Sequence, residues 1–364
     1  MNTEIQKNVP ELRFPEFSGE WEDSEIGKVL KIASGKDYKH LGHGGIPVYG
    51  TGGLMTHVDN YLYDGDSIGI GRKGTINKPY MMQGKFWTVD TLFYTHSFGK
   101  NHIYFIYPLF QKINWNKYNE ASGVPSLSKK TLEKIKVSIP KPHEQQKIAD
   151  FLTAVDEKIT ALREKKEALT TYKKGVMQQL FSGVLRFKQD DGAPYQDWEE
   201  KKLGSVCEIT TGKLDANAMV DGGKYRFYTC AKDYFHINEY AFNTEALLVS
   251  GNGANVGYIH YYKGQFNAYQ RTYVLDKFSE NIFYIQHFLN KFLHERIQKE
   301  KNEGNTPYIV LSTLKDMLIK TPVIDEQQKI ANFLSGIDEK IEAVDAALSQ
   351  AQAFKKGLLQ KMFV

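Results

Sequence analysis

Cysteine is nearly absent: Cys207 and Cys230 are the only two in 364 residues. Two thiols cannot build an all-cysteine zinc site, and no nearby paired histidines would complete a mixed one. Their scarcity points to a reduced, cytoplasmic protein without a disulfide framework. Long apolar runs are missing too. No stretch approaches the ~20 residues of a membrane span, and the polar start MNTEIQKN lacks the apolar segment of a secretory signal. No membrane partner is expected. Charge of one sign is also in short supply, with 47 basic against 43 acidic side chains leaving +4. The excess lies in residues 1–142, which hold 18 basic and 14 acidic side chains, whereas residues 183–324 hold 17 of each. A chain gripping DNA unaided by its phosphates would be more basic. If DNA is the ligand, a partner must supply much of the grip. Catalytic signatures are lacking as well. There is no G-x-x-x-x-G-K-[ST] phosphate loop, no H-E-x-x-H zinc helix, and no Asn-Pro-Pro-Tyr or Asp-Pro-Pro-Tyr run of an adenine methyltransferase. The chain is therefore expected to be no enzyme itself, with no catalytic residue, metal site or cofactor of its own.

What the chain does have is itself, twice. PKPHEQQKIADFLTAVDEKITA returns as PVIDEQQKIANFLSGIDEKIEA, and the match runs without a gap from Pro140/Pro322 to Phe181/Phe363. Farther on, Lys173-Lys174-Gly175 matches Lys355-Lys356-Gly357. Upstream, Ser122-Gly123-Val124-Pro125-Ser126-Leu127 resembles Gly304-Asn305-Thr306-Pro307-Tyr308-Ile309. The starts of the halves match through Leu12-Arg13-Phe14 and Leu185-Arg186-Phe187, Trp21 and Trp198, and Gly35-Lys36 and Gly212-Lys213. Between these anchors the halves diverge. One unit of about 180 residues is used twice, with a shared frame and a different middle.

The repeated tails are helical. Ile148, Leu152, Val155, Ile159, Leu162, Leu169, Val176 and Leu180 fall at steps of three and four, interrupted by Lys166 and Lys173. Ile330, Leu334, Ile337, Ile341, Val344, Leu348, Ala351, Leu358 and Met362 do the same. This spacing is a coiled-coil seam. A globular core helix would give a similar seam, but two matched seams of equal length favour mutual pairing. Pro142 and Pro322 suit helix entry, and Asp325 is a good N-cap. The domain reading is 1–142, helix 143–182, 183–324, and helix 325–364. The two larger segments read as mixed α/β domains. Asp66-Ser67-Ile68-Gly69-Ile70 and Ala246-Leu247-Leu248-Val249-Ser250 look like strands closed by glycine-rich turns.

Gly69-Ile70-Gly71-Arg72-Lys73-Gly74 fits a dinucleotide fingerprint, but Thr75-Ile76-Asn77-Lys78-Pro79 follows and favours a turn and a strand over the required helix. Gly251-Asn252-Gly253-Ala254-Asn255-Val256-Gly257 stands at the equivalent place. Both read as hairpin loops whose glycines let backbone approach a ligand. Asp156-Glu157-Lys158 and Asp338-Glu339-Lys340 read as solvated helix faces. Loops of the divergent regions carry side chains of the kinds that read base edges or hold phosphates. In the first half these are Lys36, Tyr38, Lys39, Arg72, Lys73, Thr75, Ser122, Ser126 and Lys129. In the second they are Lys213, Asn252, Asn255, Gln270, Arg271, Asn305, Thr306 and Tyr308. Any single one could be an ordinary exposed loop residue; their matching placement in both halves favours a ligand.

The doubled set of Ser122-Gly123, Leu127, Pro140 and Glu144-Gln145-Gln146-Lys147-Ile148-Ala149 with Asn305-Thr306-Pro307, Pro322 and Glu326-Gln327-Gln328-Lys329-Ile330-Ala331 resembles the specificity subunits of type I restriction-modification systems, over essentially the whole chain. The resemblance implies two tandem mixed α/β target-recognition domains separated by two long antiparallel coiled-coil helices in a pseudo-twofold internal repeat. It implies that double-stranded DNA is read as a split site, one half per domain. It implies that two methyltransferase subunits dock on the helical region, with Glu144, Gln145, Lys147, Glu326, Gln327 and Lys329 at the subunit interface, and that S-adenosylmethionine belongs to those partners. Motor-nuclease subunits would join for cleavage. The alternatives are a tandem-repeat scaffold binding protein or glycan, and the specificity subunit of a modification-only system.

Overall fold

The residues that recur along the chain build one frame twice. The computed structural model describes residues 8–300 and 308–364, and its chain divides into two compact units, Met1–Glu164 with Ala346–Val364, and Lys165–Asp345. The second unit is organised by a six-stranded sheet in the order Glu208–Thr211, Thr272–Asp276, Phe242–Ser250, Ile259–Ala268, Tyr225–Tyr228, Phe235–Ile237. All pairings are antiparallel except Tyr225–Tyr228 with Ile259–Ala268. Ala246–Ser250, expected as a strand, is one, and all five residues are buried. A strand at the middle of a sheet covered on both faces needs apolar side chains on both. Leu247 and Val249 pack under the helix Ile282–Glu300, while Ala246 and Leu248 meet Tyr228 and Phe266 on the other face. A ribbon of Glu199–Lys202 with Leu318–Thr321 joins the unit to its helices.

The first unit repeats this plan with its long strands broken. Lys31–Ser34, Leu92–His96, Ser67–Gly71 and Tyr80–Met82 form one four-stranded sheet; Gly53–Val58, Ile46–Gly50, Lys85–Thr88 and Tyr63–Asp64 form another. The breaks fall at Gly65 and Gly84, whose φ angles of 142° and 65° lie where side-chain-bearing residues rarely go. A ribbon of Glu22–Glu25 with Lys136–Ile139 matches that of the second unit. Both glycine-rich segments connect strand to strand, as expected of hairpin loops and not of a dinucleotide site.

The repeated tails are the helices Pro142–Phe181 and Ile324–Lys361. Asp325 lies inside the first turn and does not act as the cap, its carboxylate sitting instead at the positive helix end. The lysines that interrupt the seam have acidic partners on the other helix. In the second unit Lys166 meets Asp345 at 2.6 Å, and seven residues on, Lys173 meets Asp338, seven residues back. In the first unit Lys355 meets Asp156 at 2.6 Å, beside Ile148 and Leu152 packed with Leu358 and Met362. Within each unit the helices thus run antiparallel. Lys173–Asp338 and Lys355–Asp156 are the same pair under the internal repeat, so these aspartates are seam partners and not idle solvated positions. No helix of the described residues is long and apolar enough to cross a membrane.

The most repeated motif proves to be internal. Glu144 is buried and accepts from Arg13 Nε and Nη2, both at 2.8 Å, and from Trp21 Nε1 at 3.2 Å. Glu326, fully buried, accepts from Arg186 Nε at 3.1 Å and Nη2 at 2.8 Å, and from Trp198 Nε1 at 3.0 Å. The neighbouring glutamines are engaged as fully. Gln145 donates to the Pro140 carbonyl and Asn101 Oδ1 and accepts from the His102 amide; Gln327 donates to the Pro322 carbonyl and Glu280 and accepts from the Asn281 amide. Glu144, Gln145, Glu326 and Gln327 therefore do not offer their side chains to another subunit, because water and partners cannot reach them. They fasten each domain's entry strand to its helix. Lys147 is exposed and pairs with Glu16 at 3.2 Å, and Lys329 pairs with Asp190 at 2.7 Å.

Removing one partner of a buried ion pair strands the other charge, which costs about 3–5 kcal/mol. Glu326→Ala should lose stability on that scale in urea unfolding, and Lys329→Ala, on the half-exposed side of the same turn, far less. A second test comes from His287. It is buried, with Nε2 at 3.2 Å from Ser335 Oγ and Nδ1 at 3.9 Å from Asp338. Burial first, then the Lys173 ammonium, lower its pKa from 6.5 to about 4, with Asp338 opposing. The folded ring stays neutral while the unfolded ring takes up a proton below about 6.5. The stability tied to this group is complete above 6.5 and is lost as pH falls toward 4. His287→Gln should flatten the melting temperature of the protein across that window.

Candidate nucleic-acid interface

The loops singled out in the two halves converge, in each unit, on one hub of backbone hydrogen bonds. In the first unit the amides of Arg72 and Lys73 both donate to the Thr91 carbonyl, at 2.8 and 3.2 Å. The Gly74 amide donates to the Pro125 carbonyl and the Leu127 amide to the Arg72 carbonyl, each at 2.8 Å. Lys73 and Ser126 form an isolated antiparallel bridge. Gly35 and Lys36 enter from the side, donating to Leu92 and Thr88. Arg72, Lys73, Ser126 and Lys36 are thus brought together, and Thr75 follows Gly74 directly along the chain.

The second unit makes the same hub with other residues. The Gly251 amide donates to the Arg271 carbonyl at 2.9 Å, the Ile309 amide to the Gly251 carbonyl at 2.7 Å, and Asn252 bridges to Tyr308. Gly212 donates to Thr272, and the Gln270 amide to the Leu214 carbonyl. These bonds bring Lys213, Asn252, Gln270, Arg271 and Tyr308 to one hub, beside a cleft of about 310 Å³ lined by Gly251, Gln270, Arg271, Tyr273 and Ile309. Asn305 and Thr306 lie outside the described residues.

Both hubs need glycine at the side entry. A Cβ on Gly35 would sit 2.0 Å from the Val89 carbonyl oxygen, and one on Gly212 would sit 1.8 Å from that of Ala268. Neither backbone can yield without opening the sheet edge.

Side chains at the hubs differ in freedom. Arg72 is exposed, with its guanidinium 5.7 Å from the Phe93 ring centroid and Nη1 3.3 Å from the Asp90 carbonyl. Lys36, Lys73, Lys213, Arg271 and Tyr308 are exposed, while Ser126 and Thr75 are half-buried. Gln270 donates to Asp215 at 2.7 Å and Asn255 to the Cys230 carbonyl at 3.0 Å, so each amide already has a partner. Lys129 lies within 3.7 Å of Glu133 on its own short helix. Tyr38 is half-buried, its ring packed against the cluster of Val48, Val58 and Trp87 where the chain turns back at Leu41, and it takes no part in the hub contacts. Lys39 and Ser122 are exposed but take no part in the hub contacts.

Sequence reading missed the segment Thr229–Tyr234, which Asn255 and His260 hold against the second hub through the Cys230 and Ala231 carbonyls. Burial lowers the pKa of His260, so its ring is neutral there. Behind this segment Arg226 is clamped between Tyr234 and Tyr262, 4.2 and 4.5 Å from their ring centroids. The alternation of aromatic and basic residues in Lys224-Tyr225-Arg226-Phe227-Tyr228 was the available signal. Among the described residues no group of three His, Cys, Asp or Glu side chains is placed to hold a metal ion.

Gly212→Ala should pull the Leu214 strand edge from the hub. Amide exchange at Gly212 and Gln270 should accelerate by about tenfold or more, as expected when a local opening replaces a fixed bond. Protection unchanged at both amides would contradict the close approach.

The pattern of the family described as type I restriction modification DNA specificity domain matches residues 18–171 and again 195–351. The chain is 40% identical over 167 residues to the EcoDI specificity subunit of Escherichia coli, a match covering 45% of this chain and 36% of that protein. It is 27% identical over 341 residues to the MjaVIII specificity subunit of Methanocaldococcus jannaschii, covering 82% of this chain and 76% of that one. The crystal structure of the S subunit of a type I restriction-modification system from M. genitalium shares the fold, with a TM-score of 0.76 at 16% identity over 98% of this chain and 99% of that one.

Proposed function

Because the chain belongs to the type I restriction-modification DNA specificity family, we propose that it recognises a split double-stranded DNA site, one half through each loop hub, as the non-catalytic subunit of a larger cytoplasmic complex. One observation carries the reading: the two hubs share their backbone bonds and differ in their side chains. The first presents Lys36, Arg72, Lys73 and Ser126; the second presents Lys213, Asn252, Arg271 and Tyr308. Arginine and lysine suit guanine edges and phosphates, and asparagine suits adenine. One scaffold with two sets of readers is what two unlike half-sites require.

The near-balance of charge in residues 183–324 agrees with DNA held jointly with partners. Those partners are two methyltransferase subunits, which bind S-adenosylmethionine and modify adenine, with motor-nuclease subunits added for cleavage. This chain chooses the site and brings no methyl-transfer chemistry.

Exchange of residues 190–321 for those of a relative, with methylation mapped in the complex with methyltransferase subunits, should change one half of the modified motif and leave the other intact. Change in both halves would defeat the one-unit, one-half assignment. Arg72→Ala and Arg271→Ala should each cost about 1–3 kcal/mol of binding and relax preference at one base pair if they grip guanine. An equal loss on every sequence would make them phosphate contacts.

A further inference from the structure

A cleft lies at the same place in each unit, away from the loop hubs. In the second unit it has a volume of about 750 Å³ and opens between the end of the first long helix, the helix Ile282–Glu300 and the ribbon strand Leu318–Thr321. In the first unit the matching cleft, about 240 Å³, lies against the helix Ile103–Lys112 and the ribbon strand Lys136–Ile139. The correspondence holds position by position, with Lys136 standing where the second unit has Leu318. The ribbons pair Asp23 with Ser138 and Glu200 with Lys320, which sets Asp23 against Glu200 and Ser138 against Lys320. The bonds donated by the His102 amide to Gln145 and by the Asn281 amide to Gln327 fix the helices in the same register. Leu109 and Ile113 then correspond to Phe288 and Phe292, and Lys112 to Lys291. Each cleft has an apolar floor, a lysine from the helix and an acid on the ribbon.

These clefts belong to the frame that the halves share, and a DNA reader would have no reason to be the same twice. We propose that each cleft docks one copy of the same partner segment, an amphipathic stretch of the methyltransferase subunit with an apolar anchor flanked by acidic side chains. The inference rests on the reading that two such subunits bind. The apolar floor would receive the anchor: Phe288 is nearly buried, Phe292 half-buried, and Leu318 on the rim is 52% exposed. The cations would receive the acids. Lys291, Lys299 and Lys320 stand at the second cleft, and Lys136 stands at the first beside Lys112, whose ammonium also donates to the Phe363 carbonyl. Of the other rim charges in the second cleft, Arg296 is tied to Glu300 at 3.0 Å and Asp316 to Lys202 at 2.9 Å, while Glu200 and Glu295 orient the incoming segment by repulsion. Asp23 does so in the first, already accepting from Asn8 and Ser138.

The test uses the full chain with the purified methyltransferase subunit of its own system, read by native mass spectrometry and titration. The unaltered chain should bind two copies. Lys291→Glu with Leu318→Glu should leave one copy, and Lys112→Glu with Lys136→Glu should leave the other. Each loss should be at least about thirtyfold in affinity, the scale of a hot-spot contact. Lys136→Glu alone, an exposed change in a ribbon, guards against misfolding and should weaken only the first cleft. Two copies bound with unaltered affinity by both double variants would overturn the clefts while leaving the two-subunit reading intact. No copy bound by the unaltered chain would overturn that reading and the clefts with it.

Discussion

A carboxylate taken out of water must find hydrogen-bond donors for both of its oxygens. Glu144 and Glu326 answer that constraint with three N–H groups each, two from an arginine and one from a tryptophan. Much of the fold hangs on this contact. The arginine and tryptophan lie where the chain enters a domain, and the glutamate lies in the first turn of the long helix that leaves it. The contact fixes both ends of about 130 intervening residues, by sequence separations of 131 and 140 between arginine and glutamate. The adjacent glutamine then bonds the start of the domain helix, so that sheet, helix and ribbon are set from one turn.

With the frame fixed that firmly, the loop hubs can be built from backbone alone. Amide and carbonyl groups are common to every residue, so the bonds among the strand ends survive a change of side chain. The cost falls on a few positions where a Cβ has no room, Gly35 and Gly212 foremost. The first unit bends its long strands at Gly65 and Gly84 and the second lets them run on, yet the hubs are alike.

Much of this was legible in the residues. The duplication, the two seams and the strand Ala246–Ser250 follow from period and repetition, which depend on local geometry. The glycine-rich hairpins were legible because no helix pattern followed them. What repetition could not separate was burial from docking. Glu144-Gln145 and Glu326-Gln327 recur for the reason a partner surface would recur, shared necessity, and only the distant Arg13, Trp21, Arg186 and Trp198 reveal the necessity as internal. The packing of the Tyr38 ring was illegible for a similar reason, since a ring in a polar loop gives no sign of the core it folds onto. The Thr229–Tyr234 segment escaped notice because its place depends on contacts with Asn255 and His260, more than 20 residues on.

The division of the chain also sets an order of assembly during synthesis. The second unit is one unbroken stretch, Lys165–Asp345, and all of its core is at hand once that stretch has emerged. The first unit is not. Its core takes Leu358, Met362 and Phe363 from the far end, with Phe363 stacked on Phe105 at 5.3 Å between centroids. Domains commonly fold in the order in which they are made, but here the unit begun first closes last. Until residues 346–364 arrive, Trp21 and Phe105 face a missing wall, and the nascent protein carries an open apolar seam through the whole time its second unit takes to be translated.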